Sequence, residues 1–194
     1  LQFLYLTEKT DLFNENNNLK LLHFAPERSL YTILAKCRNI AYTKCDLSPN
    51  SPDFREIGDV QKIDITNMAF KDNTFDVILC NHVLEHIEDD HKAMKELYRV
   101  LNEGGWGIFQ VPIKHKSEKT YEDWSITSPS EKKKAFGQHD HVRIYGQDYT
   151  ERLKNAGFTV IKDDYAKSFS EADRLRFRIN PREIIFLCKK DNRS

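Results

Sequence analysis

The sequence predicts an α/β protein in three layers, a mostly parallel seven-stranded sheet with helices on both faces. Three observations predict it. Short apolar runs alternate with helix-like runs from residue 19 onward. The stretches between successive strand-like runs are helix-length, which means βαβ units and parallel strands. Polar residues gather directly behind the apolar runs, where an open parallel sheet binds its ligands, outside the carboxyl ends of its strands. The 194 residues suit a single domain, a length that encloses one sizeable core.

Residues 19–25 (LKLLHFA) read as a buried strand broken by Pro26, and residues 30–37 (LYTILAKC) as a helix. Residues 40–47 (IAYTKCDL) form the second strand, stopped by Ser-Pro-Asn-Ser-Pro, with a short helix over 53–57. Residues 59–65 and 74–80 make strands three and four. A helix over 89–101 follows, with Ala93, Leu97, Val100 and Leu101 on one face and Gly104-Gly105 as its stop. The fifth strand is 106–111. Over 114–146 the periodicity is lost and charges crowd in, the pattern of a functional insert or a lid. A helix over 148–155 ends at Gly157, where a helix C-terminus favours glycine. Strands over 158–163 and 183–189 complete the sheet on either side of a polar, Arg-rich stretch. The single domain, 1–194, divides into a ligand-binding part over about 19–112, an insert over about 113–146 and C-terminal strands over about 147–190.

Thirty Lys and Arg balance 30 Asp and Glu, for a formal charge of +0. The chain therefore lacks the basic excess with which proteins grip nucleic acid or acidic membranes. No apolar run approaches the ~18 residues of a membrane-spanning helix. The chain opens Leu1-Gln2-Phe3, with no Met and no cationic-then-apolar leader, which reads as a trimmed or internal start. Cys37, Cys45, Cys80 and Cys188 show no Cys-x-x-Cys pair, so buried thiols in a reducing, cytoplasmic setting are expected. Neither a nucleic-acid nor a membrane partner is expected.

Behind the first strand stand Ala25-Pro26-Glu27-Arg28-Ser29. Small Ala25 and Ser29 suit a loop that approaches a ligand closely, but the Gly-x-Gly-x-x-Gly cradle of a dinucleotide site is missing. Glu27 either complements a helix N-terminus or faces a ligand. Behind the second strand, Asp46 either accepts hydrogen bonds from a ribose diol or opens an Asp-Leu-Ser-Pro turn. Behind the third, Asp64 can accept an adenine amine while the next backbone amide, of Ile65, meets a ring nitrogen, with Met68 and Phe70 as apolar walls. The alternative there is a plain turn with both side chains in the core. Behind the fourth come Asn81-His82-Val83-Leu84-Glu85-His86-Ile87, polar side chains that are costly to desolvate unless they border a cleft. Glu85-His86 offers metal-ligand types, but with no His-x-x-x-His and no second carboxylate cluster no metal is expected.

Residues 64–112, DITNMAFKDNTFDVILCNHVLEHIEDDHKAMKELYRVLNEGGWGIFQVP, resemble the Rossmann-like (class I) S-adenosylmethionine-dependent methyltransferases. The resemblance lies in the order and spacing of an acidic-apolar loop, the FDVI strand, the LEH turn, the ELYRVL helix and the GG strand opener. The sequence departs from the family at the first strand, where His23 stands at the usual acidic position and Ala25-Pro26-Glu27 replaces the glycines. The resemblance implies S-adenosyl-L-methionine as cofactor and S-adenosyl-L-homocysteine as product, held by Ala25, Glu27, Asp46, Asp64, Ile65, Asn81 and His82. Glu27 is expected to take over part of the grip on the methionine end, through the amino group or the sulfonium charge.

The resemblance also implies in-line methyl transfer to an oxygen or nitrogen of a small-molecule acceptor. The alternative is a non-catalytic cofactor-binding protein of the same fold that docks a partner. Most of the catalysis in such a displacement comes from holding the acceptor atom about 3 Å from the methyl carbon. The acceptor pocket is expected to include the irregular segment, densest at 137–145 (GQHDHVRIY). There His139 or His141 is the candidate general base, oriented by Asp140, and Arg143 the candidate bidentate clamp for a carboxylate or phosphate. The other reading is a polar loop whose His and Arg side chains cap and solvate it.

Overall fold

The computed structural model describes residues 1–192; residues 193 and 194 lie outside the described residues. In chain order the strands are β1 Leu19–Phe24, β2 Ile40–Asp46, β3 Gln61–Lys62, β4 Phe75–Asn81, β5 Leu101–Gln110, β6 Tyr121–Glu122, β7 Arg143–Ile144, β8 Thr159–Asp163 and β9 Ile185–Lys189. The α-helices are α1 Gln2–Lys9, α2 Arg28–Leu34, α3 Asp90–Val100, α4 Pro129–Phe136, α5 Tyr149–Asn155 and α6 Glu171–Phe177.

Alternation along the central strands builds two cores. Leu22 and Phe24 of β1, with Ile78 and Cys80 of β4, face one side and pack with Met94 and Leu97 of α3 and Leu153 of α5. Leu21, Val77 and Leu79 face the other side, against Tyr5 and Leu6 of α1 and Leu30 and Leu34 of α2. A period of two along strands buried on both faces produces the three-layer sandwich. The sheet runs β3-β2-β1-β4-β5-β9-β8. Strands β1 to β5 pair in parallel, and β9 is antiparallel to both β5 and β8. Strand order reverses between β1 and β4, which opens the ligand crevice at their carboxyl ends. The expected α/β, mostly parallel seven-stranded sheet is the observed one. Among the described residues no helix is long and apolar enough to cross a membrane.

Several expected elements are corrected. The third strand, expected over 59–65, shrinks to exposed Gln61–Lys62 at the sheet edge, where it pairs with β2. Gly104-Gly105 does not stop the preceding helix. The chain passes directly from α3 into β5, and Gly104, at φ +76°, lies where the register with β4 shifts between Phe75 and Val77. The end of α3 is capped instead by the buried Lys190 ammonium, which donates to the carbonyls of Tyr98 at 3.0 Å and Leu101 at 2.8 Å, a cation serving orphan C-terminal carbonyls. The supposedly irregular insert contains β6, β7 and α4. Its helix opens on Ser128, whose hydroxyl accepts from the Glu131 amide, with Pro129 next and Gly137 in left-handed geometry at its end. These are ordinary start and stop signals, masked by the Lys132-Lys133-Lys134 run. Likewise the polar stretch before β9 carries α6, capped by Ser170, and α1 precedes the sheet.

Candidate active site

At the end of β1 the chain leaves the sheet through Ala25, at φ 46°, a left-handed conformation that costs a residue with a Cβ about 1 kcal/mol. Its amide still donates to the Cys45 carbonyl at 2.9 Å. Glu27 occupies the N-cap position of α2 but makes no side-chain cap. Its Oε2 instead meets Nε2 of fully buried His23 at 2.7 Å, and its Oε1 accepts from Asn81 Nδ2 at 2.8 Å. His23 Nδ1 continues to the Tyr42 hydroxyl at 2.8 Å. Asn81 in turn exchanges amide hydrogen bonds with Gln2, at 2.8 and 3.3 Å. One polar chain, Gln2–Asn81–Glu27–His23–Tyr42, therefore ties α1, β4, the start of α2, β1 and β2 together. The carboxylate that position 23 lacks is supplied by Glu27, clamped onto His23. Burial pushes the Glu27 carboxyl up, but the hydrogen bond and charge of His23, with backbone and Asn81 donors, outweigh it and hold the group below its ordinary range.

A cleft of about 430 Å³ opens at the switch point, and Ala25, Asp46, Asp64, Ile65 and His82 all line it. Glu27 and Asn81, expected with them, are not among its lining residues and belong to the polar chain instead. Asp46 Oδ1 accepts from the Ser48 amide at 2.7 Å. Asp64 Oδ1 accepts from the amide and hydroxyl of Thr66, both at 2.8 Å, and these bonds hold the Asp64 carboxyl below its usual range. Each aspartate keeps its Oδ2 without a protein donor among the described residues. Of the two readings of Met68 and Phe70, the structure has the core one, and neither lines the cleft. Met68 is buried in the core and Phe70 packs edge to face on Phe75 at 4.9 Å, while Leu47, Phe54 and Ile63 line the cleft. A larger depression of about 800 Å³ lies by Thr32, Lys36 and Asn39, at the amino ends of β1 and β2, the end of a parallel sheet that ligands do not use.

Beyond β4 the backbone turns at His82, φ 54°, whose amide donates to the Gln110 carbonyl at 2.8 Å. His82 Nδ1 lies 3.4 Å from Glu85 Oε1. Hydrogen bonding to Glu85 raises the His82 pKa, against burial, with further help from the charges of Glu85 and Glu27. Two smaller pockets adjoin this turn. One of about 340 Å³ includes His82, His115 and Arg182. The other, about 240 Å³, is lined by Glu85, Ile113, Phe136 and His141.

The expected acceptor-side residues separate in the structure. His139 is solvent-exposed, 3.9 Å from Asp140. Asp140 instead reaches His86 Nδ1 at 3.3 Å. His141 is buried, with Nδ1 3.3 Å from the Phe136 carbonyl and its ring edge to face on His86. Burial, then the neighbouring His86, hold the His141 pKa below its ordinary value. Arg143 is no open clamp, and that expectation is corrected. It is 1% exposed. Its Nε donates to Glu122 at 2.7 Å, Nη1 to the carbonyls of Leu84 and Ile87, and Nη2 to the Glu88 carbonyl at 2.9 Å. Arg152 shares Glu122 and Asp90 with it, and the Tyr145 hydroxyl donates to Asp90 at 2.7 Å. Arg143 thus pins the turn 84–88 to the insert. Sequence spacing carries no signal for this cluster, because its charges come from β6, β7, α3 and α5.

Comparison with known proteins agrees with this architecture. A family model described as a methyltransferase domain matches residues 26–109. Phosphoethanolamine N-methyltransferase 3 of Arabidopsis thaliana is 34% identical over 108 residues, 55% of this chain and 20% of that protein. The ubiquinone/menaquinone biosynthesis C-methyltransferase UbiE of Escherichia coli is 36% identical over 75 residues, 36% of this chain and 30% of that protein. The chain spans less than a third of the length of these curated relatives. Among solved structures, an S-adenosylmethionine dependent methyltransferase from Mesorhizobium loti superposes with a TM-score of 0.61 at 15% identity, covering 91% of this chain and 92% of that one.

Proposed function

From a chain with the class I, Rossmann-like methyltransferase fold and a methyltransferase domain across residues 26–109, we propose that this protein transfers a methyl group from S-adenosyl-L-methionine to a small-molecule acceptor, releasing S-adenosyl-L-homocysteine. The observation that carries the reading is the pair Asp46 and Asp64. They stand at adjacent strand ends in one cleft, each with a carboxylate oxygen unspent and with an apolar wall between strand ends.

That donor set fits an adenosyl group. Asp46 takes the ribose diol by charge-assisted hydrogen bonds. Asp64 and the Ile65 amide take the adenine edge, with Leu47, Phe54 and Ile63 against its faces. Ala25 brings the backbone close to the methionine end, and Glu27, kept ionised in its chain with His23 and Asn81, supplies the negative charge there. The bound cofactor supplies an electrophilic methyl on a sulfonium. The protein's own task is orientation, since a displacement of this kind is accelerated mainly by alignment and exclusion of water.

The acceptor lies on the side of His82, Glu85 and His141. A base is needed only for an acceptor that must lose a proton. The groups there with buried, unspent lone pairs are Glu85 Oε2 and His141 Nε2, which serve directly or by holding an ion that lowers the acceptor's pKa. The names of the two relatives divide between nitrogen and carbon acceptors, so the assay must include oxygen, nitrogen and carbon nucleophiles. Isotopically labelled S-adenosyl-L-methionine incubated with a panel of small acceptors tests the reading. Label transfer with formation of S-adenosyl-L-homocysteine supports it. Tight cofactor binding with no transfer to any acceptor would favour the partner-docking alternative.

A further inference from the structure

We propose that Glu85, His86 and His141 form a binding site for one divalent transition-metal cation, placed between the cofactor cleft and the pocket of about 240 Å³ beside it. One ligand atom from each of the three side chains lies within 4.8 Å of the others. Two of these residues are almost wholly enclosed, Glu85 at 1% and His141 at 5% exposure, yet Glu85 Oε2 and His141 Nε2 have no hydrogen-bond partner among the described residues. Buried polar atoms in folded proteins are nearly always paired, so two orphans of complementary ligand type at one spot call for an occupant.

The surroundings set each imidazole for ligation. His141 Nδ1 lies 3.3 Å from the Phe136 carbonyl, which places the ring proton on Nδ1 and leaves the lone pair on Nε2. His86 Nδ1 lies 3.3 Å from the Asp140 carboxylate, the carboxylate–histidine relation that orients metal-binding imidazoles. The frame behind them is rigid. The Val142 amide donates to the Glu85 carbonyl at 3.0 Å, and the Arg143 guanidinium holds the carbonyls of Leu84, Ile87 and Glu88. That guanidinium brings little net repulsion, because Glu122 lies 2.7 Å and Asp90 3.7 Å from its Nε.

Two imidazoles and one carboxylate select zinc, cobalt, nickel, manganese or ferrous iron over magnesium and calcium, which prefer all-oxygen sites. Three protein ligands leave positions open, the mark of a reactive rather than a structural site. His86 borders the cofactor cleft and His141 the neighbouring pocket, so an open position faces the acceptor. The existence of the site rests on side-chain geometry alone, whereas its role toward an acceptor oxygen rests on the methyl-transfer reading. Sequence spacing pointed away from a metal because its third ligand comes from the insert.

The test uses untagged full chain, stripped with chelator, in the absence of any methyl donor, so its outcome is independent of methyl transfer. Cobalt(II) is titrated by visible absorption and zinc(II) by calorimetry. The expected result is saturation at one equivalent, with affinity about 100-fold weaker in His86→Ala, His141→Ala and Glu85→Gln, and unchanged in the surface control His91→Ala, whose side chain is exposed on α3. Circular dichroism checks the fold of each variant, and the partly exposed His86→Ala serves if His141→Ala unfolds. No saturable binding, or zinc affinity in folded His86→Ala equal to the parent's, overturns the proposal.

Discussion

Asn81, at the end of β4, donates a 2.8 Å hydrogen bond to Glu27, at the start of α2, and so ties the end of β4 to the segment that follows β1, the two strands between which the sheet order reverses. The same Asn81 amide pairs with Gln2. The charge at the crevice and the seating of the N-terminal helix therefore share one hydrogen-bonded chain.

Glu27→Ala removes the carboxylate proposed for the methionine end and leaves His23 Nε2 buried without its partner. S-adenosyl-L-methionine affinity, measured by calorimetry, is expected to fall at least tenfold, about 1.4 kcal/mol, and stability by about 1–3 kcal/mol. Wild-type affinity in the folded variant would show that the methionine end is held elsewhere.

Asp46→Ala separates binding from folding. Asp46 makes one bond to the Ser48 amide, so stability without ligand should change by about 1 kcal/mol or less. Affinity for S-adenosyl-L-methionine and S-adenosyl-L-homocysteine should fall together, by tenfold or more, because the ribose is common to both. Equal loss in a ligand lacking the ribose would contradict the assignment.

Arg143→Met leaves Glu122 with Arg152 and leaves Asp90 with Arg152 and the Tyr145 hydroxyl. Breaking one partner out of a buried ionic cluster typically costs about 3–5 kcal/mol, readable as a lower urea midpoint. Arg143→Lys should recover little, since an ammonium cannot reproduce the planar fork that serves Glu122 and three carbonyls. A denaturation midpoint equal to wild type would return Arg143 to the role of a substrate clamp.

Ala25→Gly should stabilise the fold by about 0.5–1 kcal/mol. It relieves a left-handed alanine, an effect partly offset by the greater freedom of glycine in the unfolded chain. Thermal denaturation reads it directly, and a lower Tm would show that the Ala25 methyl makes a packing contribution larger than the strain.

Acid should weaken the protein through Glu27, Glu96 and Glu122. Burial raises the Glu27 and Glu122 carboxyls but is outweighed by His23 and by Arg143 with Arg152, respectively, while hydrogen bonding from Arg99 lowers Glu96. All three folded-state values lie below the ordinary glutamate value. Their stabilisation is therefore present above about pH 4.3 and is lost as pH falls through the folded values. Urea midpoints between pH 7 and pH 3 should decline with a shallower slope in Glu122→Gln. A parallel decline would place the acid sensitivity elsewhere.

The sheet was legible because strands buried on both faces read as continuous apolar runs and connectors of helix length force parallel pairing. Strand ends were legible for the same reason, so Ala25, Asp46, Asp64, Ile65 and His82 are found on one cleft. The small elements of the insert were harder to see, since a run of lysines hides a helix whose Ser-Pro and Gly signals lie at its ends. Short edge strands such as Gln61–Lys62 carry no apolar period at all.

Local order along the chain was enough to define the α/β layers, the crevice and the carboxylates that line it, because hydrophobic period and turn chemistry act between near neighbours. Folding alone decided that Arg143 braces the turn 84–88, that Glu27 answers His23 and Asn81, and that His141 joins Glu85 and His86. Apart from His23 and Glu27, which stand four residues apart, those pairings link segments far apart in the chain. Hydrogen bonds and charge pairs depend on angstrom-scale position in space, which no spacing along the sequence encodes.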